Sequence, residues 1–260
     1  MLKQVRALQS KRERRETRLM VVEGEDLLAA ALAAGITPQA VIFDDARISE
    51  VDALVQATNA VGARYLATAD LIAGISTMAT PPRVLAIVPR PGPPHFSSIT
   101  WPPSLGLYLA GVSDPGNVGS LIRTASALGC DWVAIGSGSA DAAHPRAVRG
   151  AMGATFTVPI LETVRPEDLA TREGFLVVEA VSSGGQPPWT IDLTGPLVLA
   201  MGAERAGLAE VGGALAPPER TVAVTIPQTP GSDSLNVGAA AAALLVEIVR
   251  QRGVESQPAG

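Results

Sequence analysis

The chain has 260 residues, 47% of them apolar and only 3% aromatic, so its interior must be built mainly from Ala, Val, Leu and Ile. That length suits one large domain or two modest ones, each able to bury a real core. A single cysteine, Cys130, excludes an internal disulfide framework and fits a reducing compartment. Cys130 follows the helix-ending Gly129, which predicts a small buried residue. No apolar run approaches the roughly 20 residues a membrane-spanning helix needs, and the N-terminus carries Lys3 and Arg6 without an apolar signal core. A soluble cytoplasmic protein is expected.

The net charge of −5 is unevenly placed. Residues 1–18 hold seven basic side chains (Lys3, Arg6, Lys11, Arg12, Arg14, Arg15, Arg18) against Glu13 and Glu16, a local +5 that leaves −10 for the rest. A basic arm on an acidic body suits phosphate contacts that weaken with salt. A solvated, partly helical terminus has the same composition.

In chain order, Arg18 to Gly24 reads as a strand ending in a turn, and Glu25 to Gly35 has helical spacing with a C-terminal glycine. Ala40 to Phe43 is the next strand. Ser49 to Ala60 is helix-like, and the strands RYLA and Val84 to Val88 follow. This alternation predicts a small α/β layer over residues 1–90. Pro89 to Pro103 has six prolines and cannot be regular structure, so residues 91–103 are read as a linker. A second α/β domain is expected over 104–252. It opens with the strand Leu105 to Gly111 and continues through WVAI, a helical AVRGAM region, FLVVEAV, PLVLAMG and TVAVTI to an alanine-rich helix, Leu235 to Arg250. Its strands are nearly continuously apolar, as parallel strands covered on both faces are.

Three loops, each following a buried strand, carry the chemistry. Asp114-Pro115-Gly116-Asn117 is a turn into a helix for which Asn117 is a fitting N-cap, running to Leu128. Arg123 lies about one and two-thirds turns further on, where its side chain can reach back toward the strand's C-terminal end, the place open α/β sheets bind ligands. A surface arginine on an amphipathic helix has the same pattern. GAERAGL sets Glu204 between Gly202 and Gly207, which allow close backbone approach to a ligand. A capping glutamate would look alike. The third loop, Pro227 to Asp233, runs into Ser234-Leu235-Asn236 at the start of the alanine-rich helix. Only the conjunction of the three raises a functional reading above ordinary capping.

Together Asn117 to Gly129, Met201 to Leu208 and Ile226 to Ile248 resemble motifs 1, 2 and 3 of the SpoU (TrmH) family of SPOUT-class RNA ribose 2′-O-methyltransferases, in the family's order and near its spacing. The resemblance implies an α/β fold whose C-terminal parallel-sheet domain forms a trefoil knot, with a smaller ribosomal-protein-like RNA-binding domain before it. It further implies S-adenosylmethionine as cofactor and a homodimer that completes the RNA site. Asn117, Arg123, Glu204, Ser234 and Asn236 match the catalytic positions. Gly202, Ile226 and Leu235 match positions whose backbone groups hold the cofactor. His144 to Ala154 resembles a family segment near the substrate, making Arg149 a phosphate contact beside Arg12, Arg14 and Arg15 of the basic arm; a solvated helix charge is the other reading of Arg149. The chain departs from the family pattern at Gln228, where Met is usual, at Gly231, one residue later than the common glycine, and at Gly238 and Ala151, where Ser is frequent. Arg83 interrupts the usual glycine before the last N-terminal strand. No metal site is indicated.

The implied reaction is in-line attack of a ribose 2′-oxygen on the sulfonium methyl, for which alignment alone is worth up to about 7–11 kcal/mol in ideal intramolecular cases. Arg123 would act as a base after losing its proton, or stay charged and stabilise the developing alkoxide. Arginine's high proton affinity favours the second. Glu204 would order Arg123 or its loop. Large-subunit ribosomal RNA is the expected substrate. A transfer RNA methyltransferase of the same family, or a non-catalytic RNA-binding or ribosome-assembly protein on this fold, are the alternatives. A dinucleotide-binding oxidoreductase and a G-x-S-x-G hydrolase lack their motifs.

Overall fold

The computed structural model describes residues 1–91, 99, 101–203, 213–229, 231 and 233–253. Contacts divide the chain into two compact units: Met1–Gly92 with Asp141–Thr157, and Pro93–Ala140 with Val158–Gly260.

The first unit is built on strands β1 (Leu19–Glu23), β2 (Ala40–Asp44), β3 (Arg64–Ala67) and β4 (Val84–Pro89), in spatial order β1-β4-β2-β3. β4 runs antiparallel to both of its neighbours, and β2 and β3 are parallel. The sheet is covered on both faces. Met20, Val22, Val41, Phe43, Val84, Ala86 and Val88 pack under helix α3 (Glu25–Ala33). The alternate residues Val21, Ile42, Leu85 and Ile87 pack with Val5 and Leu8 of the N-terminus and with Ile72 and Ile75. Two-sided burial explains why β1, β2 and β4 are apolar runs rather than alternating ones.

The N-terminal stretch is ordered for the same reason. Helices α1 (Leu2–Ala7) and α2 (Lys11–Thr17) put Val5, Leu8 and Arg14 inside while Lys3, Arg6, Lys11, Arg12 and Arg15 stay exposed. The predicted helix over Ser49 to Ala60 is shorter, a 3-10 turn (Ile48–Val51) continued by α4 (Asp52–Ala57). Helix α5 (Ala69–Ala73) precedes β4. Arg83, unusual at its position, spans two acidic residues, bonding Glu50 at 2.7 Å and Glu25 at 2.8 Å.

The AVRGAM segment belongs to this unit and not to the second. It forms α7 (Pro145–Ala151), whose Val148 joins the core beneath α3 together with Ala143. Asp141, which opens the segment, is buried. Its carboxylate accepts from Arg14 at 2.8 Å, from Arg90 at 2.6 Å and from the Ala143 backbone at 3.1 Å. Burial alone would raise its pKa, but the guanidinium groups of Arg90 and Arg14 outweigh it and hold the carboxyl below its usual range.

The second unit is a six-stranded, wholly parallel sheet of β5 (Leu105–Leu109), β6 (Trp132–Gly136), β7 (Ile160–Val164), β8 (Leu176–Ala180), β9 (Leu197–Met201) and β10 (Thr221–Val224), in order β10-β8-β9-β5-β6-β7. Its connections include α6 (Pro115–Ala127) and α8 (Pro166–Ala170), and the chain's last described helix is α9 (Val237–Gln251). Trp132 and Tyr108 anchor one face among Val177, Val198 and Ala200. Trp101, at the end of the proline-rich stretch, stacks on Trp132 with ring centres 6.1 Å apart, so that end of the expected linker is packed onto this unit. Gly106 pairs directly with Trp132, and the indole lies where a side chain at 106 would go: an added Cβ would sit 2.5 Å from it.

Helix α6 ends on Gly129 at φ +76°, with the Cys130 amide donating to the Ala125 carbonyl at 2.9 Å. This is a Schellman stop. Cys130 is buried there, as expected from its neighbour, and burial pushes its thiol up to about 12.

Two outcomes are expected. Gly106→Ala must displace a fully buried indole, so it should cost about 1–3 kcal/mol of stability, read as a lowered urea midpoint; an unchanged midpoint would show the Trp132 contact to be slack. The second concerns His144, whose Nδ1 accepts from the Arg146 backbone and caps α7. Burial first, and then Arg14, lower its pKa. The neutral ring is thus favoured in the folded state, and its contribution is fully present above the unfolded value, near 6.5. It is lost as pH falls through the lower folded value. His144→Asn keeps a capping side chain that does not titrate. The urea midpoint should therefore fall less steeply between pH 7 and 5 in the variant than in wild type, and identical slopes would remove His144 from the pH dependence.

Candidate active site

The C-terminal ends of β8, β9 and β10 open onto one cavity of about 680 Å³ counting its mouth. Ala180, Val181 and Ser182 enter it from the end of β8, Met201, Gly202 and Ala203 from the end of β9, and Val224, Ile226 and Gln228 from the end of β10. Ser234, Leu235, Val237, Ala240 and Leu244, from the approach to α9 and its first turns, close it. Gly202, Ile226 and Leu235, the three expected cofactor positions, therefore line a single site, and Ser234 lines it with them.

Its position at the strand C-termini is where parallel sheets bind nucleotides. The wall is mainly aliphatic, and small residues (Ala180, Gly202, Ala203, Ala240) keep it open. Apolar contact for a flat base with a few neutral polar groups is what this lining offers, and it fits the nucleoside part of S-adenosylmethionine.

The helix after β5 starts three residues earlier than expected. Asp114 is the N-cap, with its carboxylate accepting from the Asn117 backbone at 3.0 Å, and Pro115 takes the first helical position, where its missing N–H costs nothing. Asn117 thus lies in the first turn with its amide released from capping. It accepts a bond from the Asn236 side chain at 3.3 Å. Asn236 caps α9 through its other amide atom, which accepts from the Gly238 backbone at 2.8 Å. One side-chain pair therefore joins the first motif to the third, and Asn236 stands between Leu235 and Val237, both in the cavity wall. Gly238 helps bring the two helices together, since a Cβ there would lie 3.2 Å from Ser120 Oγ.

Arg123 is exposed on α6 and makes no hydrogen bond or ion pair among the described residues. It lies one turn beyond Ser120. Long side chains on a helix lean toward its N-terminus, so the reach of Arg123 is toward Ser120 and the start of α6, where Asn117 sits. Glu204 lies outside the described residues.

The expected RNA contacts separate into distinct classes. Arg12 is exposed and paired with Glu16, and Arg15 is exposed. Arg14 requires correction: it is 1% exposed, donating to Asp141 and to the Leu8 and Gln9 carbonyls at 2.8 Å. A guanidinium with those partners in the interior is not presented to a phosphate. Arg149 is partly buried and pairs with Glu23, which also accepts from the Thr77 amide and hydroxyl, each at 2.7 Å. Reasoning from sequence missed the inward turn of Arg14, the role of His144 as a cap, and Ser182 and Gln228 as cavity residues. Only Gln228 had a signal, its departure from the usual Met.

Residues 104–246 match the SpoU rRNA Methylase family, and residues 1–86 match the MRM3-like substrate binding domain. A Bacillus subtilis 23S rRNA (guanosine(2553)-2′-O)-methyltransferase, RlmP, is 31% identical over 252 residues, covering 95% of this chain and 95% of its own. The SpoU methyltransferase AviRb from Streptomyces viridochromogenes, crystallised with AdoMet, superposes with a TM-score of 0.83 at 25% identity, over 98% of each chain. An AdoMet-bound rRNA methyltransferase from Sinorhizobium meliloti gives 0.76 at 29% identity, over 98% of this chain and 95% of that one. With that match running through all three motif loops and the sheet that carries them, the chain belongs to the SpoU rRNA methylase family.

Proposed function

We propose that the chain methylates a ribose 2′-oxygen of large-subunit ribosomal RNA, using S-adenosylmethionine held in the cavity at the ends of β8, β9 and β10. The observation that carries this reading is the Asn117–Asn236 bond. It fixes the helix bearing Arg123 beside the helix whose approach, Ser234 and Leu235, walls the cavity. The 23S rRNA specificity of the Bacillus relative, and a substrate-binding domain over residues 1–86, favour ribosomal over transfer RNA.

When bound, S-adenosylmethionine supplies a methyl group already activated by its sulfonium. The protein's task is to align a 2′-hydroxyl with that methyl and to manage the hydroxyl's proton. Backbone groups at Gly202, Ile226 and Leu235 hold the cofactor. Ser234 and Asn236 would orient the reacting groups, Asn117 would sit at the ribose, and Glu204 would order Arg123 or its loop. The hydroxyl proton would leave to solvent water, and Arg123, kept charged, would stabilise oxyanion character on the ribose oxygen. Its exposure suits it to meet RNA, which arrives from solvent. Arg12 and Arg15 contact phosphates. Arg149 is held by Glu23, so its contact with RNA would need a phosphate to compete with that carboxylate. The trefoil knot, the homodimer and a cytoplasmic location complete the reading.

The test is transfer of radiolabelled methyl from S-adenosylmethionine to separated ribosomal and transfer RNA. Ribosomal RNA should take the label. Arg123→Ala should lower kcat about 100-fold or more, the scale for loss of one oxyanion-stabilising donor, with binding of S-adenosylhomocysteine little changed. Label in transfer RNA alone would move the substrate to that class, and no label in either fraction or in ribosomal particles would favour a non-catalytic RNA-binding protein. Arg123→Lys should keep the wild-type pH–rate profile. A steep wild-type rise that vanished in the variant would make Arg123 the base.

A further inference from the structure

The cavity's described lining contains no charged side chain, and its polar side chains are Ser182, Gln228 and Ser234. Ser234 adjoins the Asn117–Asn236 pair. Ser182 and Gln228 form the rim at the ends of β8 and β10. The Val181 amide bonds the Val224 carbonyl at 2.9 Å, and the Gly185 amide bonds Thr225 Oγ1 at 2.9 Å. Gly185 is pressed so closely on the Val224–Thr225 backbone that a Cβ would lie 2.7 Å from it. These contacts brace the loop after β8 on the strand end that leads into Ile226 and Gln228. The strand order β10-β8-β9-β5 sets this rim away from β5, after which the helix bearing Asn117 and Arg123 begins.

Resting on the cofactor reading above, we infer that Gln228 is a specificity-determining residue that reads the polar edge of the cofactor's adenine. The transferable methyl must face the Asn117 side, so the Gln228 rim receives an end of the cofactor remote from it. Two ends qualify. The amino-acid end carries an ammonium and a carboxylate, and the described rim offers no charged side chain to pair with either. The adenine end is a flat apolar ring with an amino donor beside ring-nitrogen acceptors. Val181 and Ile226 suit its faces. A glutamine amide offers an acceptor and donors in the geometry that pairs with adenine's edge, whereas the methionine usual at this position has only a weakly accepting sulfur. Gln228 is exposed at the cavity mouth, so it can turn to meet the base without a buried partner to give up.

Calorimetric titration of the full chain with S-adenosylhomocysteine, and with the analogue carrying purine in place of adenine, tests this without turnover. Wild type should prefer the adenine ligand about threefold to tenfold, the scale of one net hydrogen bond. Gln228→Met and Gln228→Ala should weaken the adenine ligand severalfold, leave the purine ligand nearly unchanged, and so collapse the ratio. A ratio that stays at the wild-type value in both variants would overturn the inference, including the case where Gln228 merely shapes the loop, because both ligands would then weaken together. Wild type binding neither ligand would overturn the cofactor reading itself, and this one with it.

Discussion

A carboxylate in a protein interior needs opposite charge and hydrogen bonds on every side, and Asp141 organises the first unit by that demand. It is 7% exposed, with Arg14 at 1% and Arg90 at 7%. Removing one partner from such a buried cluster costs about 3–5 kcal/mol, because the remaining charges keep their desolvation penalty. Arg14 does more than balance Asp141. Its other amino group donates to the Leu8 and Gln9 carbonyls, left without partners where α1 ends. One guanidinium thereby joins the α1–α2 corner to the segment beginning at Asp141, while Arg90 joins that segment to the end of β4. Residues 141–157 belong to the first unit through these bonds and through Ala143 and Val148 in its core.

The same accounting separates arginines that sequence alone treats alike. Glu23 is 4% exposed and must be satisfied; Arg149, Thr77 Oγ1 and the Thr77 amide satisfy it. Arg149 is therefore a structural tie between α7 and the end of β1 before it is anything else. Arg83 holds Glu25 and Glu50 at the surface, where such pairs contribute little. Arg123 differs from all of these: it is exposed, beside a motif loop, and among the described residues bound to nothing. A charge held ready in that way is available to a ligand at no cost in broken internal bonds.

How much could be read beforehand follows from how each signal arises. Five of the second unit's strands were plain because burial makes them apolar runs, with β5, β6 and β9 buried at every position; β7, at the sheet edge with Glu162 and Thr163 in it, carries no such run and was missed. The cavity walls at Gly202, Ile226 and Leu235 were accessible through the motifs. The N-terminal helices were hidden by composition. Val5 and Leu8 are few among many basic residues, so a short amphipathic helix looked like a charged arm, and nothing local tells that Arg14 turns inward. The allegiance of α7 was equally hidden, because membership of a core is a tertiary fact and α7 comes, in chain order, between β6 and β7 of the other unit. Asn117 was misread as a cap because Asp114 and Asn117 are both good capping types. Proline at 115 decides between them, since it is at home one place after the cap and fixes Asp114 as the residue before the helix.

That shift of three residues matters for chemistry. An asparagine spent on capping would have its side chain folded back onto its own helix. With Asp114 in that role, Asn117 faces α9, and Asn236 uses one amide atom for its cap and the other for Asn117. Two helix starts more than a hundred residues apart in sequence are thus joined through a pair of neutral side chains. Neutrality is the point. An ion pair here would bring a net field of its own into a site that must accept both a sulfonium and a phosphodiester, whereas two amides fix geometry without biasing either charge. The strong charge is left to Arg123, on the exposed face of α6, the residue proposed above to act on the RNA.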